Sequence, residues 1–117
     1  MKESLANIES RLKEALKCES GVATAYLFGS ALTGTFGSES DVDLGLLYFP
    51  DRVPQALDVF EIEYRLSCAV GSEVDVVVLN SASPVIGMQV LRNGKKLLER
   101  DSRLGSEFFV RCVNLYT

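Results

Sequence analysis

Three β-rich runs dominate the first two thirds of the chain, and two of them are broken by aspartate. Residues 22–28 read VATAYLF, residues 42–49 read VDLGLLYF and residues 73–79 read EVDVVVL. Short runs rich in Val, Leu, Tyr and Phe, bounded by Gly, Ser or Pro, are strands. The first stops at Gly29-Ser30 and the second at Pro50. The third is nearly continuous in apolar character, as expected of a strand with much of both faces covered. Asp75 is the anomaly inside it.

The intervening segments have helical spacing. Leu5, Ile8, Leu12, Ala15 and Leu16 mark an amphipathic helix over residues 4–17. Pro54 suits the first turn of a second helix, with Leu57, Phe60, Tyr64 and Cys68 as its packing face and Gly71 as its end. Ser83-Pro84 opens a third helix that Gly94 terminates, and residues 95–99 form a short strand. Leu104, Phe108, Cys112 and Leu115 then space a final helix. This order predicts one α+β domain over residues 1–117, a small mixed sheet with its helices packed mainly on one face. The other face would stay open for a site.

Charge and composition narrow the chemistry. Sixteen Asp and Glu against twelve Lys and Arg give a net charge of -4, and no basic run stands out. Attraction to nucleic acid through counterion release has little to work with, so no nucleic acid is expected as a partner. The apolar runs are far shorter than the roughly 20 residues that span a bilayer, so no membrane is expected and the cytoplasm is the default address. There is no His, and the three Cys, at 18, 68 and 112, lack metal-ligand spacing. They read as reduced packing residues. Without His, any acid–base or metal chemistry must run on carboxylates.

Those carboxylates are clustered in an informative way. Gly29-Ser30 ends the first strand, and after ten intervening residues Asp41-Val42-Asp43 begins the second. Strand side chains alternate, so Asp41 and Asp43 project together while Val42, Leu44 and Leu46 enter the opposite layer. Two like charges held together are most simply compensated by a divalent cation. Magnesium, bound through one or two carboxylates plus substrate phosphates, fits a pair of Asp with neither His nor Cys. Gly29 lets backbone approach a phosphate, and Ser30 offers an N–H and a hydroxyl. Asp75, on the same strand face as Val77 and Leu79, would intrude at a cost of a few kcal/mol unless it shares the metal. It would complete a two-metal arrangement or take the acceptor's proton. Gly-Ser and Asp-x-Asp at this separation arise by chance in roughly one chain in several hundred.

The stretch YLFGSALTGTFGSESDVDLGLLY resembles the signature of the minimal nucleotidyltransferases of the DNA polymerase β superfamily, Gly-Ser, ten residues, then Asp-x-Asp. EVDVVVL is similar to the strand carrying their third carboxylate, and SPVIGMQVLRNGKKLLERD to their closing segment. The resemblance implies the palm-like nucleotidyltransferase fold and transfer of AMP, or another NMP, from ATP or another NTP to a hydroxyl. Gly29 and Ser30 would bind the triphosphate, and Asp41, Asp43 and Asp75 would hold Mg2+, in two ions. It further implies an antitoxin that modifies a tyrosine of a HEPN-domain toxin; in so short a chain the acceptor must be presented by another chain or by a second copy of itself. Neutralisation of the HEPN partner by occlusion alone, or transfer to a small molecule, are the alternative readings. Relatives often carry Arg in the Gly-Ser turn, where this chain has Ala31, Leu32 and Thr33. Arg52, Arg65, Lys95 and Lys96 are the cations left to approach from elsewhere.

Overall fold

The computed structural model describes residues 5–29 and 42–116. Helix α1 (Leu5–Leu16) leads into strand β1 (Val22–Phe28), followed by β2 (Val42–Tyr48) and a 3-10 turn at Pro50–Arg52. Helix α2 (Ala56–Val70), strand β3 (Val74–Val78), helix α3 (Pro84–Asn93), strand β4 (Lys95–Glu99) and helix α4 (Ser102–Tyr116) complete the order. The sheet order is β3-β2-β1-β4. β1 runs antiparallel to both β2 and β4, whereas β2 and β3 are parallel and joined by the α2 crossover.

Both faces of this mixed sheet are covered, in contrast to the expected one-sided packing. On one face Ile8, Leu12 and Leu16 of α1 and Ile62, Leu66 and Val70 of α2 pack on Leu27, Leu44, Leu46 and Val74. On the other, Val90 of α3 and Phe108 and Cys112 of α4 pack on Tyr26, Leu47 and Leu79. The reason is visible in β1 and β2, where residues pointing both ways are apolar, so each face needs its own cover. β3 is an edge strand, and the residues from Asp75 to Val78 are half-buried.

Helix α2 departs from expectation in two respects. Its helical residues begin after Pro54, with Gln55 as N-cap in a reciprocal capping box with Asp58. Its packing face is Ile62, Leu66 and Val70, whereas Leu57, Phe60, Tyr64 and Cys68 face outward. Gly71 ends the helix in the left-handed conformation at φ 82°, as its placement predicts. The cysteine expectation holds only for Cys112, since Cys18 and Cys68 are exposed. Cys112 packs where Gly87 lets α3 and α4 approach, for a Cβ at Gly87 would meet its Sγ at 2.5 Å.

Arg100 ties β4 to the end of α1. Its guanidinium donates to the carbonyls of Glu19, Val22, Leu16 and Lys17 at 2.9, 2.7, 3.2 and 3.3 Å. Helix ends leave carbonyls without intrahelical partners and favour a cation nearby. Arg100→Met should therefore cost about 2 kcal/mol, read from urea unfolding at neutral pH. A loss under about 0.5 kcal/mol would show that water replaces the guanidinium at no cost.

Tyr48 brings a hydroxyl into the core with no hydrogen-bond partner among the described residues. Burial, reinforced by the Glu19 charge and opposed by Arg65, pushes its phenol up to about 12. An unfolded phenol ionises near pH 10, at roughly the model-peptide value. The folded state keeps its proton longer, so this contribution is intact below about pH 10 and fades as pH climbs toward 12. Tyr48→Phe should lose less stability than wild type between pH 8 and 11, compared by urea midpoint. Equal losses would assign the alkaline sensitivity to other groups, Tyr26 among them, whose phenol burial also raises.

Candidate active site

The parallel pairing of β2 with β3 sets Asp43 directly opposite Asp75. In-register residues of adjacent strands share a face, and their Cα atoms lie about 4.8 Å apart. Both side chains therefore project from the same face of the sheet, the one that also carries Val77, near the beginnings of their strands. The β1–β2 ladder pairs Phe28 with Asp43, which puts Gly29 at the same end. Gly29, Asp43 and Asp75 are thus assembled at one edge of the sheet. Ser30 and Asp41 lie outside the described residues, as do Ala31, Leu32 and Thr33.

Gly29 and Asp43 are fitted to each other. Gly29 has φ 81°, a conformation L side chains rarely adopt. A Cβ added there would collide with Asp43 Oδ2 and come within 2.9 Å of its Cγ. Glycine is required twice over, for the backbone turn and for the space that the carboxylate occupies.

The structure also shows what holds Asp75 in place. As an edge strand, β3 has backbone N–H groups that β2 does not bind. Val74 N–H donates to Ser67 Oγ at 2.9 Å and Val76 N–H to Glu63 Oε2 at 2.8 Å. Ser67 and Glu63, one turn apart on α2, thereby fix the backbone on either side of Asp75 and close the edge to foreign strands. The sequence reading missed both residues. The available signal was polar side chains at i and i+4 on the helix preceding the strand.

Asp43 and Asp75 offer carboxylate oxygens, the kind of donor that a hard cation takes. Two carboxylates facing each other across neighbouring strands repel, and a divalent ion turns that repulsion into attraction. Among the described residues no group of three His, Cys, Asp or Glu converges. Oxygen donors with neither nitrogen nor sulfur match magnesium, which takes its remaining ligands from water and phosphate.

The candidate cations have other acceptors. Arg65 pairs with Glu19 at 3.0 Å, Lys95 with Glu9 at 2.9 Å and Lys96 with Glu99 at 2.8 Å. Arg52 donates to Ser20 Oγ at 3.1 Å. None of these acceptors is Asp43 or Asp75.

Comparison with known proteins places this arrangement in context. The family model described as "Polymerase beta, Nucleotidyltransferase" matches residues 10–103. A protein adenylyltransferase, MntA, of Shewanella oneidensis is 36% identical over 95 residues, which are 78% of this chain and 63% of that protein. The chain thus spans less than two thirds of that relative. A crystal structure of a toxin-antitoxin with AMP-PNP superposes with a TM-score of 0.80 at 30% identity, over 92% of this chain and 86% of the matched one. A structure of a tri-AMPylated Shewanella oneidensis HEPN toxin in complex with MNT antitoxin gives a TM-score of 0.76 at 27% identity, over 96% and 86% of the two chains.

Proposed function

The chain belongs to the polymerase beta nucleotidyltransferase family, and from that premise we propose that it transfers AMP from ATP to a hydroxyl, a tyrosine's, on a HEPN-type partner protein. The reading is carried by the register of Asp43 with Asp75, which gathers two carboxylates beside the Gly29 turn. It is further supported by the relatives, one named as a protein adenylyltransferase and one solved beside an AMPylated HEPN toxin. The chain would act as the antitoxin of such a pair.

In this reading Asp43 and Asp75, with Asp41, hold Mg2+, in two ions. When bound, magnesium neutralises charge on the triphosphate and lowers the acceptor hydroxyl's affinity for its proton. The chain's own residues do the positioning. Gly29 turns the chain at φ 81° with the Asp43 carboxylate against it, and Ser30 supplies donors to phosphate oxygens. The acceptor oxygen forms a bond to the α-phosphorus as the bond to the bridging α–β oxygen breaks, and pyrophosphate leaves with that electron pair. The hydroxyl proton passes to a carboxylate, for which Asp75 is the candidate.

Intact mass spectrometry tests the proposal. A HEPN-domain partner protein, incubated with wild type, ATP and Mg2+, should gain mass in steps of one AMP. A partner whose mass stays unchanged, under conditions where the two proteins bind each other, would contradict it.

A further inference from the structure

A cavity of about 450 Å3 lies over β1 and β4, between α3 and α4. Leu91, Phe109 and Val110 give it apolar walls, and half-exposed Lys96 and Glu99 border it. Cavities of this size take small molecules, which a few placed polar groups orient on an apolar lining. Tyr26 is such a group. It lines the cavity at 7% exposure, and no hydrogen bond among the described residues engages its hydroxyl. The Lys96 and Glu99 charges both act on its phenol, so the hydroxyl is turned to the end of the cavity that they border. Thr24, two residues earlier on the same strand face, is fully buried with Oγ1 unpartnered among the described residues. Gly105 makes the room between these groups, since a Cβ there would stand 3.6 Å from Glu99 Oε2 and 3.7 Å from Thr24 Oγ1. Buried hydroxyls without partners are costly and rare, and here two border one cavity.

We infer that this cavity binds a small uncharged ring compound bearing a carboxamide, at a site separate from the carboxylates. Complementarity selects that class. Lys96 and Glu99 satisfy one another at 2.8 Å, so the cavity presents no unmatched charge and favours a neutral ligand. Burial raises the Tyr26 phenol above its ordinary range, which leaves it a donor at neutral pH, and a carbonyl oxygen is its complement. Glu99 keeps acceptor capacity beyond its bond from Lys96, and an amide N–H is the complement there. A carboxamide carries both groups in one plane, while its ring packs on Phe109 and Leu91. A carboxylate in the same place would set its charge against Glu99. The strand order keeps the two sites apart, because Asp43 and Asp75 stand on β2 and β3 whereas Tyr26 and Thr24 are paired with Lys96 and Glu99 of β4.

Two-dimensional 1H–15N NMR of the full chain, titrated with nicotinamide as the probe, tests the inference. The backbone amides of Tyr26, Gly94, Gly105 and Phe109 should shift saturably, with Kd on the order of 1 mM, the range open to so small a ligand. Nicotinate, which exchanges the amide for a carboxylate, should bind at least about tenfold more weakly. Tyr26→Phe removes only the hydroxyl and should weaken nicotinamide binding about tenfold. Ser106→Trp, at an exposed position on the lining, should fill the cavity and abolish the shifts while the rest of the spectrum stays that of wild type. Undiminished binding by either variant would overturn the inference, as would equal affinity for nicotinate or shifts confined to the surroundings of Asp43 and Asp75. A wild-type spectrum that nicotinamide leaves unchanged would also overturn it, and if a HEPN-domain protein then moves the same amides, the cavity is a protein contact instead.

Discussion

Replacing Asp43 by Asn is expected to lower AMP transfer by about 10^3-fold or more while leaving the fold as stable as wild type or more so. The activity loss follows from the site's electrostatics. A metal that neutralises a phosphoryl transition state supplies several kcal/mol, and each 1.36 kcal/mol is about tenfold in rate. The stability effect has the opposite sign because Asp43 faces Asp75 across the β2–β3 ladder, and removing one charge relieves their mutual repulsion. An ordinary structural aspartate would behave in the reverse manner, costing stability when neutralised. The two quantities are read from single-turnover rates and urea unfolding of the same preparation. Lost stability with retained transfer would assign Asp43 to the scaffold.

Gly29→Ala should damage both fold and site, and Gly71→Ala separates the two effects. The glycines have nearly the same backbone, φ 81° and 82°, so alanine costs about 1–2 kcal/mol at either position from the left-handed conformation alone. Their surroundings differ. At Gly71 the nearest atom to an added Cβ is Arg11 Nη1 at 3.7 Å, an ordinary contact. At Gly29 the new methyl strikes the Asp43 carboxylate, and displacing a reacting constellation by about 1 Å can cost 10^2-fold in rate. Gly71→Ala is therefore expected to lose stability and keep its turnover per folded molecule. Gly29→Ala should lose similar or greater stability and about 10^2-fold in turnover. Comparable turnover in the two variants would dissociate the Gly29 turn from the carboxylate site.

Elements with one apolar period and clear punctuation were legible in the sequence. The third helix starts at Pro84 with Ser83 as its cap, whose Oγ accepts from Ile86 N–H at 3.3 Å, and it stops at Gly94. The Asp43–Asp75 pairing was legible in part, since strand alternation gave the facing of each side chain but only the β2–β3 register makes them partners. Helix α2 was misread because it carries two apolar faces. Leu57, Phe60, Tyr64 and Cys68 form the more aromatic one, and hydropathy alone cannot say which is turned to the sheet. One-sided helix packing failed for a related reason. Tyr26, Leu47 and Val77 point away from the α1–α2 core and need α3 and α4 above them. Glu63 and Ser67 escaped notice because their role depends on β3 being an edge, which only the strand order reveals.

The central claim is transfer of the nucleoside monophosphate itself to protein, and the position of a radioactive label in ATP tests it most directly. With label on the α-phosphate, the HEPN partner should become radioactive in the presence of wild type and Mg2+, with unlabelled pyrophosphate released. With label on the γ-phosphate, the partner should stay unlabelled and the radioactivity should appear in pyrophosphate. Transfer of the γ-label to the partner, or no α-label on a partner that binds the chain, would contradict the account.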